Sequence, residues 1–137
     1  MIFNILGIGG KKDDDRPYPG YRLCSGTYKT TSGTGTSLSV TMENGCIPLS
    51  ARVYSKYRVG DGKTVSHTIK TNKSTAITSR VKGDASGDWY ESTFNADLTQ
   101  ALSVEEMQAI TTVTAERSSY QYDSFTLTIT KWLEPIE

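Results

Sequence analysis

Strict alternation of apolar and polar side chains over short segments is the feature that most restricts how this chain folds. In the clearest case Phe125, Leu127 and Ile129 alternate with threonines. A period of two is typical of a half-buried β-strand, because successive side chains of a strand point to opposite faces. The 137 residues include 19 threonines and 15 serines, and threonine favours strands. The pattern therefore predicts a mainly β fold and excludes a helical bundle, a coiled coil and a collagen-like fibre.

The same alternation recurs between turn-forming residues along most of the chain. We predict seven strands, at about residues 21–30, 38–42, 51–59, 65–70, 77–81, 89–95 and 125–130. Asn44-Gly45 predicts a type I′ hairpin turn between the second and third of them. The three strands between residues 51 and 81 predict a meander, and Trp89 and Phe94 are expected to anchor the core.

One segment has a helical signature instead. Ser103 is followed three residues later by Glu106, which is the spacing of a capping box and predicts a short helix near residues 103–112. Two architectures then remain open, an antiparallel sheet backed by the helix and a two-sheet β-sandwich. The length predicts a single globular β-rich domain over residues 21–137.

Residues 1–20 differ from the rest and are expected to form a flexible arm. An apolar tip precedes two lysines: Ile2, Phe3, Ile5, Leu6 and Ile8, then Lys11 and Lys12. Such a tip is suited to insertion at a membrane interface or to docking on its own domain or a neighbouring subunit. A secretory signal has its positive charge before the apolar stretch, so we expect a protein that is not secreted by a signal peptide and is cytoplasmic in its host.

The residue types that carry chemistry are scarce. Cys24 and Cys46 lack the CxxC spacing and His67 is the single histidine, so we expect no metal site and no cofactor. The two thiols are expected to be reduced and packed in neighbouring strands, with a disulfide as the alternative. His67 shares the inward phase of Val65 and Ile69 and is expected to be structural. We therefore expect a non-enzymatic protein, with a hydrolase that depends on His67 as a remote alternative.

Charge is balanced overall, with 15 basic and 15 acidic side chains, but unevenly distributed. Residues 52–83 hold eight basic side chains and one acidic, whereas residues 84–137 hold two basic and ten acidic. The eight bases are Arg52, Lys56, Arg58, Lys63, Lys70, Lys73, Arg80 and Lys82. They could pair with the acidic half of the chain, meet an anionic membrane or a ribonucleoprotein, or join a basic flank to an acidic flank in a homo-oligomer.

The arm also carries a family resemblance. Leu6-Gly7, the lysine pair, an acidic patch and the segment from Arg16 to Tyr21 resemble the N-terminus of rhabdovirus matrix proteins. The resemblance implies a viral structural protein that self-associates beneath an envelope and bridges membrane to nucleocapsid. It also implies a late-budding segment at Pro17, Tyr18, Pro19 and Tyr21, although this chain reads PYPGY where the family has PPxY. A polyproline II linker is the alternative for that segment.

These features together predict a matrix-like viral assembly protein found in the virion. It would self-associate as a homo-oligomer and contact membrane or nucleocapsid through the arm and a basic sheet face, with no small-molecule substrate. Two alternatives are retained. One is a β-sandwich module that binds a protein or a glycan through loops such as 31–36 and 83–88, and the other is a structural subunit of a non-enveloped capsid or a phage.

Overall fold

The computed structural model describes residues 20–59, 63–73, 75–82, 89–99, 102–118 and 121–136. These residues form nine strands and one short helix, and the predicted mainly β class is confirmed. The elements are β1 (Tyr21–Ser25), β2 (Thr30–Gly33), β3 (Ser37–Thr41), β4 (Ile47–Arg58), β5 (Thr64–Thr71), β6 (Thr75–Lys82), β7 (Trp89–Asp97), α1 (Val104–Gln108), β8 (Thr112–Arg117) and β9 (Gln121–Pro135). Within this part of the chain no helix is long and apolar enough to cross a membrane.

The strands form two antiparallel sheets. The five-stranded sheet has the order β1-β9-β4-β7, with β2 also paired to β9, and the four-stranded sheet has the order β3-β8-β5-β6. Strand β1 pairs with residues 131–135 of β9 and β2 with residues 125–128, so the two act as one interrupted edge strand. The chain is therefore a β-sandwich with eight strand positions.

The connections give this sandwich a jelly-roll topology. Apart from β5 and β6, which are hydrogen-bonded neighbours, each strand from β2 onward is followed by a strand of the other sheet. This alternation is the double Greek key found in viral capsid and lectin domains. The predicted meander is therefore wrong, because β4 lies in the five-stranded sheet and β5 and β6 lie in the other.

The turn at Asn44-Gly45 has the predicted backbone but a different role. Asn44 has φ 57° and Gly45 has φ 75°, so both residues have the positive φ of a type I′ turn. However, β3 and β4 belong to different sheets. The predicted hairpin is wrong because the turn carries the chain across the sandwich instead of pairing its flanking strands.

The main core lies between the two sheets. Its fully buried members come from both of them: Ala51, Val53, Phe125, Leu127 and Ile129 from the five-stranded sheet, and Ile69, Val113 and Ala115 from the four-stranded sheet. A second cluster joins α1 to the five-stranded sheet through Met107, Ile47 and Leu133. A third cluster contains Tyr57, Val59 and Val65.

Several local predictions need correction. The capping box of Ser103 and Glu106 is present, but α1 already ends at Gln108. The strand β8, which we did not predict, begins at Thr112, within the range predicted as helix. The weak strand over residues 21–30 is broken into β1 and the start of β2. Trp89 is not a core anchor, because 47% of its surface is exposed, whereas Phe94 packs against the main core.

Candidate functional site

A buried arginine holds the two sheets together. Arg117, on β8, is 3% exposed. Its Nε donates to the carbonyl oxygen of Gly35 at 2.9 Å, and its Nη1 donates to Ser55 Oγ at 2.9 Å. Its guanidinium also donates to the backbone carbonyls of Lys56, Ser124 and Asp123. The side chain therefore links β8 to β4, β9 and the loop before β3.

The need for this arginine follows from an irregularity in the five-stranded sheet. The register between β4 and β9 shifts between Ser55 and Tyr57, where β9 contains an extra residue. A β-bulge leaves backbone groups without ladder partners. At this bulge the guanidinium of Arg117 donates to backbone carbonyls of both strands, β4 and β9. The ring of Phe125 lies 4.2 Å from the guanidinium carbon and adds a cation–π contact. Burial lowers the pKa of Arg117 from its usual value.

Ser55 continues the polar chain to His67. His67 is 2% exposed, and its Nε2 lies 2.9 Å from Ser55 Oγ. A guanidinium only donates, so Ser55 Oγ accepts from Arg117 and its own proton is available to His67 Nε2. Burial, followed by the positive charge of Arg117, lowers the pKa of His67 to about 4. The histidine therefore faces inward, as predicted; its imidazole is neutral and its ring is closed to substrate.

Metal ligands do not cluster in the described part of the chain, where no group of three His, Cys, Asp or Glu side chains could hold an ion. Cys24 and Cys46 are both free and partly buried. Cys24 is on β1 and Cys46 immediately precedes β4, two strands that lie on opposite sides of β9. The two thiols are therefore not on neighbouring strands as predicted. Burial raises the pKa of Cys46.

One exposed polar surface in the described part of the chain is the outer face of β4 and β7, which we call the β4–β7 face. Ala51, Val53 and Tyr57 point into the sandwich, so the residues between them point outward. Antiparallel pairing aligns each outward residue of β4 with one of β7. The pairs are Arg52 with Asn95, Tyr54 with Thr93, Lys56 with Glu91, and Arg58 with Trp89.

Cations and the aromatic rings of Trp89 and Tyr54 dominate this face. Trp89 is the most exposed aromatic side chain among the described residues whose exposure is resolved. The guanidinium of Arg58 lies beside Gln121, with Nη1 3.5 Å from Oε1. Desolvation, then a hydrogen bond to the Glu91 carboxylate, raises the pKa of Tyr54. Arg52 makes no ion pair with any residue that the structure describes.

Hydroxyl groups extend the same surface toward β2. Thr30 Oγ1 lies 2.9 Å from Thr128 Oγ1, and Ser32 Oγ lies 3.0 Å from Thr126 Oγ1. These cross-strand pairs fix the orientation of the hydroxyl groups. The outer surface of the five-stranded sheet is consequently a continuous field of hydrogen-bonding groups, with its cations on β4 and its exposed indole on β7.

The predicted basic residues do not share one sheet. Arg52, Lys56 and Arg58 lie on β4, whereas Lys70 lies on β5 and its Nζ bonds Glu116 Oε1 at 3.0 Å. The others lie in turns or in the four-stranded sheet. Lys63 precedes β5, Lys73 follows it, and Arg80 and Lys82 are residues of β6. The structure therefore separates β4's cations from the other five residues.

Other predicted residues fall at or beyond the limits of the description. The arm residues Ile2, Phe3, Ile5, Leu6, Ile8, Lys11 and Lys12, together with Pro17, Tyr18 and Pro19, lie outside the described residues, as does the loop 83–88. Tyr21 begins β1, and its hydroxyl accepts a hydrogen bond from Gln108 Nε2 at 3.5 Å. Residues 31–33 of the predicted binding loop belong to β2.

The sequence contained a signal for Ser55 and Arg117, two buried polar residues that we did not predict. Ser55 continues the inward phase of Val53, and Arg117 continues the inward phase of Val113 and Ala115. A polar residue in phase with buried neighbours is expected to face the core and to find partners there. We overlooked Arg117 because we did not predict its strand.

Comparison with known proteins yields only distant structural similarities. No protein-family model and no curated protein sequence matches the chain. A structure described as CBM4 structure and function is 12% identical with a TM-score of 0.37, covering 86% of this chain and 72% of that one. A family 11 carbohydrate-binding module from Clostridium thermocellum, in complex with a β-1,3-1,4-mixed-linked tetrasaccharide, is 11% identical with a TM-score of 0.30, covering 92% and 95%.

A viral protein is similar at the same level. The VP2 subviral particle of infectious bursal disease virus is 16% identical with a TM-score of 0.38, over 98% of this chain and 42% of that chain. Similarities this weak say nothing about what the chain binds, and the function must be argued from its own surface.

Proposed function

We propose that this chain is a non-enzymatic binding module whose ligand lies across the β4–β7 face. The observation that carries the proposal is Trp89, a large apolar side chain 47% exposed on a sheet face, directly opposite Arg58 of β4. An exposed indole beside a guanidinium provides an apolar surface and a positive charge within one contact area, which is the composition enriched in binding hot spots.

An acidic glycan is the ligand that this face fits best. The flat ring of Trp89 can pack against the apolar face of a sugar. The neutral side chains Asn95 and Thr93 offer hydrogen bonds to sugar hydroxyls, and the cations Arg52 and Arg58 can pair with sulfate or carboxylate groups. Arg52 and Arg58 are six residues apart on one strand, a separation of about 20 Å. The face therefore suits an extended chain of several sugars that runs along β4.

The same face is less suited to nucleic acid. Binding of a single strand relies on several aromatic rings that stack on successive bases within a positive groove. Here Trp89 is the one strongly exposed ring among the described residues of the face.

Calorimetric titration of the full chain with defined oligosaccharides tests the proposal. A sulfated oligosaccharide, a uronic-acid oligosaccharide and a neutral oligosaccharide are compared at two salt concentrations. We expect the two acidic ligands to bind and the neutral one to bind more weakly. Trp89→Ala should weaken binding at least about tenfold, equivalent to about 1.4 kcal/mol, and Arg58→Gln should reduce the salt dependence of binding.

Matched variants separate the face from general effects. Leu23→Ala removes another exposed apolar side chain, 42% exposed on β1, and Lys73→Gln removes an exposed cation in the turn after β5. Both should bind as the unaltered chain does. Equal binding by Trp89→Ala and the unaltered chain, or no binding of any acidic oligosaccharide, would contradict the proposal.

A matrix-like or capsid-like assembly protein is the second candidate. Its support is the jelly-roll connectivity, which viral shell proteins share with lectins, together with the arm and its resemblance to rhabdovirus matrix proteins. Vesicle flotation with anionic lipids tests it, using the full chain and the double variant Phe3→Ser/Ile5→Ser. Recovery of the full chain with vesicles and loss of the variant would favour this candidate, and equal recovery would remove the arm from the mechanism.

A further inference from the structure

The four edges of the two sheets differ in how well they are protected against pairing with another chain. The β1–β2 edge is interrupted between Ser25 and Thr30, and β3 has only five residues. Strand β6 contains Arg80 and Lys82, and its pairing with β5 is irregular near Lys70. Interruption, shortness, irregular pairing and charge are the devices by which sheets avoid edge-to-edge association. Strand β7 has none of the first three.

Strand β7 is a long and regular edge. It runs for nine residues, from Trp89 to Asp97, and each of them pairs with β4 without a register shift. It contains neither lysine nor proline. Among the described residues its backbone bonds to no strand except β4. Alternate N–H and C=O groups on its other side are of the kind that an added strand pairs with, and no strand in the described part of the chain uses them.

The sequence of β7 is also compatible with a second copy of itself. In an antiparallel pair centred on Thr93, that residue faces its own equivalent, Glu91 faces Asn95, and Trp89 faces Asp97. No like charges stand directly opposite one another, and a Thr–Thr pair is favourable. On the inner side Tyr90 faces Ala96 and Ser92 faces Phe94. Tyr90 and Phe94 are only partly buried, so the pairing would cover two aromatic rings that the monomer leaves accessible.

We propose that β7 of one copy pairs antiparallel with β7 of a second copy, centred on Thr93, so that two five-stranded sheets become one continuous sheet. The pair has two-fold symmetry, in which the same strand serves both subunits. The β4–β7 faces of both subunits then lie side by side on one surface. The proposal depends on the edge strand and not on what that face binds.

Sedimentation of the full chain over a range of concentrations tests the dimer. We expect a reversible monomer–dimer equilibrium for the unaltered chain. Thr93→Lys should be monomeric over the same range, because two lysines would face each other at the centre of the pair. Ser37→Lys places the same charge on the edge strand β3, where Ser37 is exposed, and should dimerise normally. Circular dichroism of each variant establishes that the fold is retained.

A mixing experiment tests the register itself. Thr93→Glu should also be monomeric alone, but an equimolar mixture of Thr93→Lys and Thr93→Glu should form the mixed dimer, since only a pair centred on Thr93 brings these two side chains together. A monomeric unaltered chain, a dimer that survives Thr93→Lys, or a mixture that stays monomeric would each overturn the proposal. Oligosaccharide titration of the unaltered chain at concentrations below those at which it dimerises keeps the proposed function separate from this result.

Discussion

Among single residues, Arg117 links segments of the fold that are far apart in sequence. It is buried, and its guanidinium hydrogen-bonds four backbone carbonyls and Ser55 Oγ. The carbonyls come from three segments that are otherwise separate, the loop at Gly35, β4 and the bulge of β9. Its role is to satisfy groups that the irregular sheet leaves without partners. A buried acceptor that loses its donor bears the full cost of its desolvation.

Arg117→Lys is expected to lower the free energy of unfolding by about 3 kcal/mol, because an ammonium cannot reproduce the planar array of guanidinium donors and leaves several acceptors unsatisfied. Urea unfolding followed by circular dichroism measures the change. Arg52→Lys makes the same chemical change at an exposed position of the same sheet and should alter stability by less than about 0.5 kcal/mol. Equal effects of the two substitutions would remove Arg117 from this role.

His67 predicts a specific pH dependence. Its pKa is 6.5 in the unfolded chain and about 4 in the fold, because it is buried and faces the cation Arg117. Below pH 6.5 the unfolded chain binds a proton that the folded chain refuses, so stability falls until the pH reaches about 4. The difference corresponds to about 3 kcal/mol.

The comparison of the unaltered chain with His67→Gln isolates this contribution, because carboxylates that also titrate in acid are common to both. The stability of the unaltered chain relative to that of the variant should decrease by about 3 kcal/mol between pH 7 and pH 4. Urea unfolding at half-unit pH steps provides the measurement. A constant difference across that range would show that the histidine is not held neutral by the fold.

Among the elements, local chemistry predicted the backbone conformation of the Asn44-Gly45 turn and the start of the helix, but not the pairing of the strands that flank the turn. Gly45 has φ 75°, and a Cβ there would lie 3.2 Å from Pro135 Cγ. Gly45→Ala should therefore cost about 1–2 kcal/mol, the penalty for a left-handed conformation in a residue with a side chain. Gly35→Ala, where a Cβ would meet open space, should be neutral or slightly stabilising. Thermal unfolding of both variants distinguishes the outcomes, and equal melting temperatures would contradict the account of this turn.

The capping box gives a second element-scale prediction. Ser103 Oγ accepts from the Glu106 N–H at 3.1 Å, and Glu106 Oε1 accepts from the Ser103 N–H at 2.9 Å. Ser103→Ala should cost about 1 kcal/mol, while Ser37→Ala, at an exposed position of β3, should cost little. Urea midpoints give both values, and a Ser103 variant as stable as the control would show that α1 does not depend on its cap.

Local patterns did not reveal which strands pair. The alternation in β4 and the inward phase of His67 followed from the sequence, because side-chain direction along a strand is a local property. The assignment of β4 and β5 to different sheets depends on contacts between distant residues, such as Val53 of β4 with Leu127 of β9. The failure to predict β8 had a different origin, because the predicted helix extended to about residue 112, where this six-residue strand begins.

At the scale of the whole molecule, the topology separates the basic side chains that are close in sequence. Residues 52–83 have a large positive net charge. However, the cations of β4 lie on the five-stranded sheet, whereas Lys70 lies on the four-stranded sheet and pairs there with Glu116. Among the described basic side chains of this segment, those of Arg52, Lys56 and Arg58 on β4 share a face with Trp89. A charge count alone could not have identified this face, because its aromatic component was expected in the core.

The proposed site therefore combines residues that the sequence placed correctly with one that it placed wrongly. The alternation of the strand predicted at about residues 51–59 puts Arg52, Tyr54, Lys56 and Arg58 on one face, and the structure has them there. Trp89 is part of that face because β7 is the edge strand next to β4 and its pairing places Trp89 opposite Arg58, on the outer face of the sheet. Sequence periodicity gives the phase of a strand, but whether the outward side is covered depends on its neighbours.

Binding at the β4–β7 face is tested by a chemical-shift titration of the isotope-labelled full chain with an acidic oligosaccharide. We expect the largest shifts at the indole N–H of Trp89 and at the backbone amides of Arg52, Arg58 and Asn95, with little change on β3 and β8. Shifts concentrated on the four-stranded sheet, or their absence at saturating oligosaccharide, would contradict the claim that the β4–β7 face is where this protein binds.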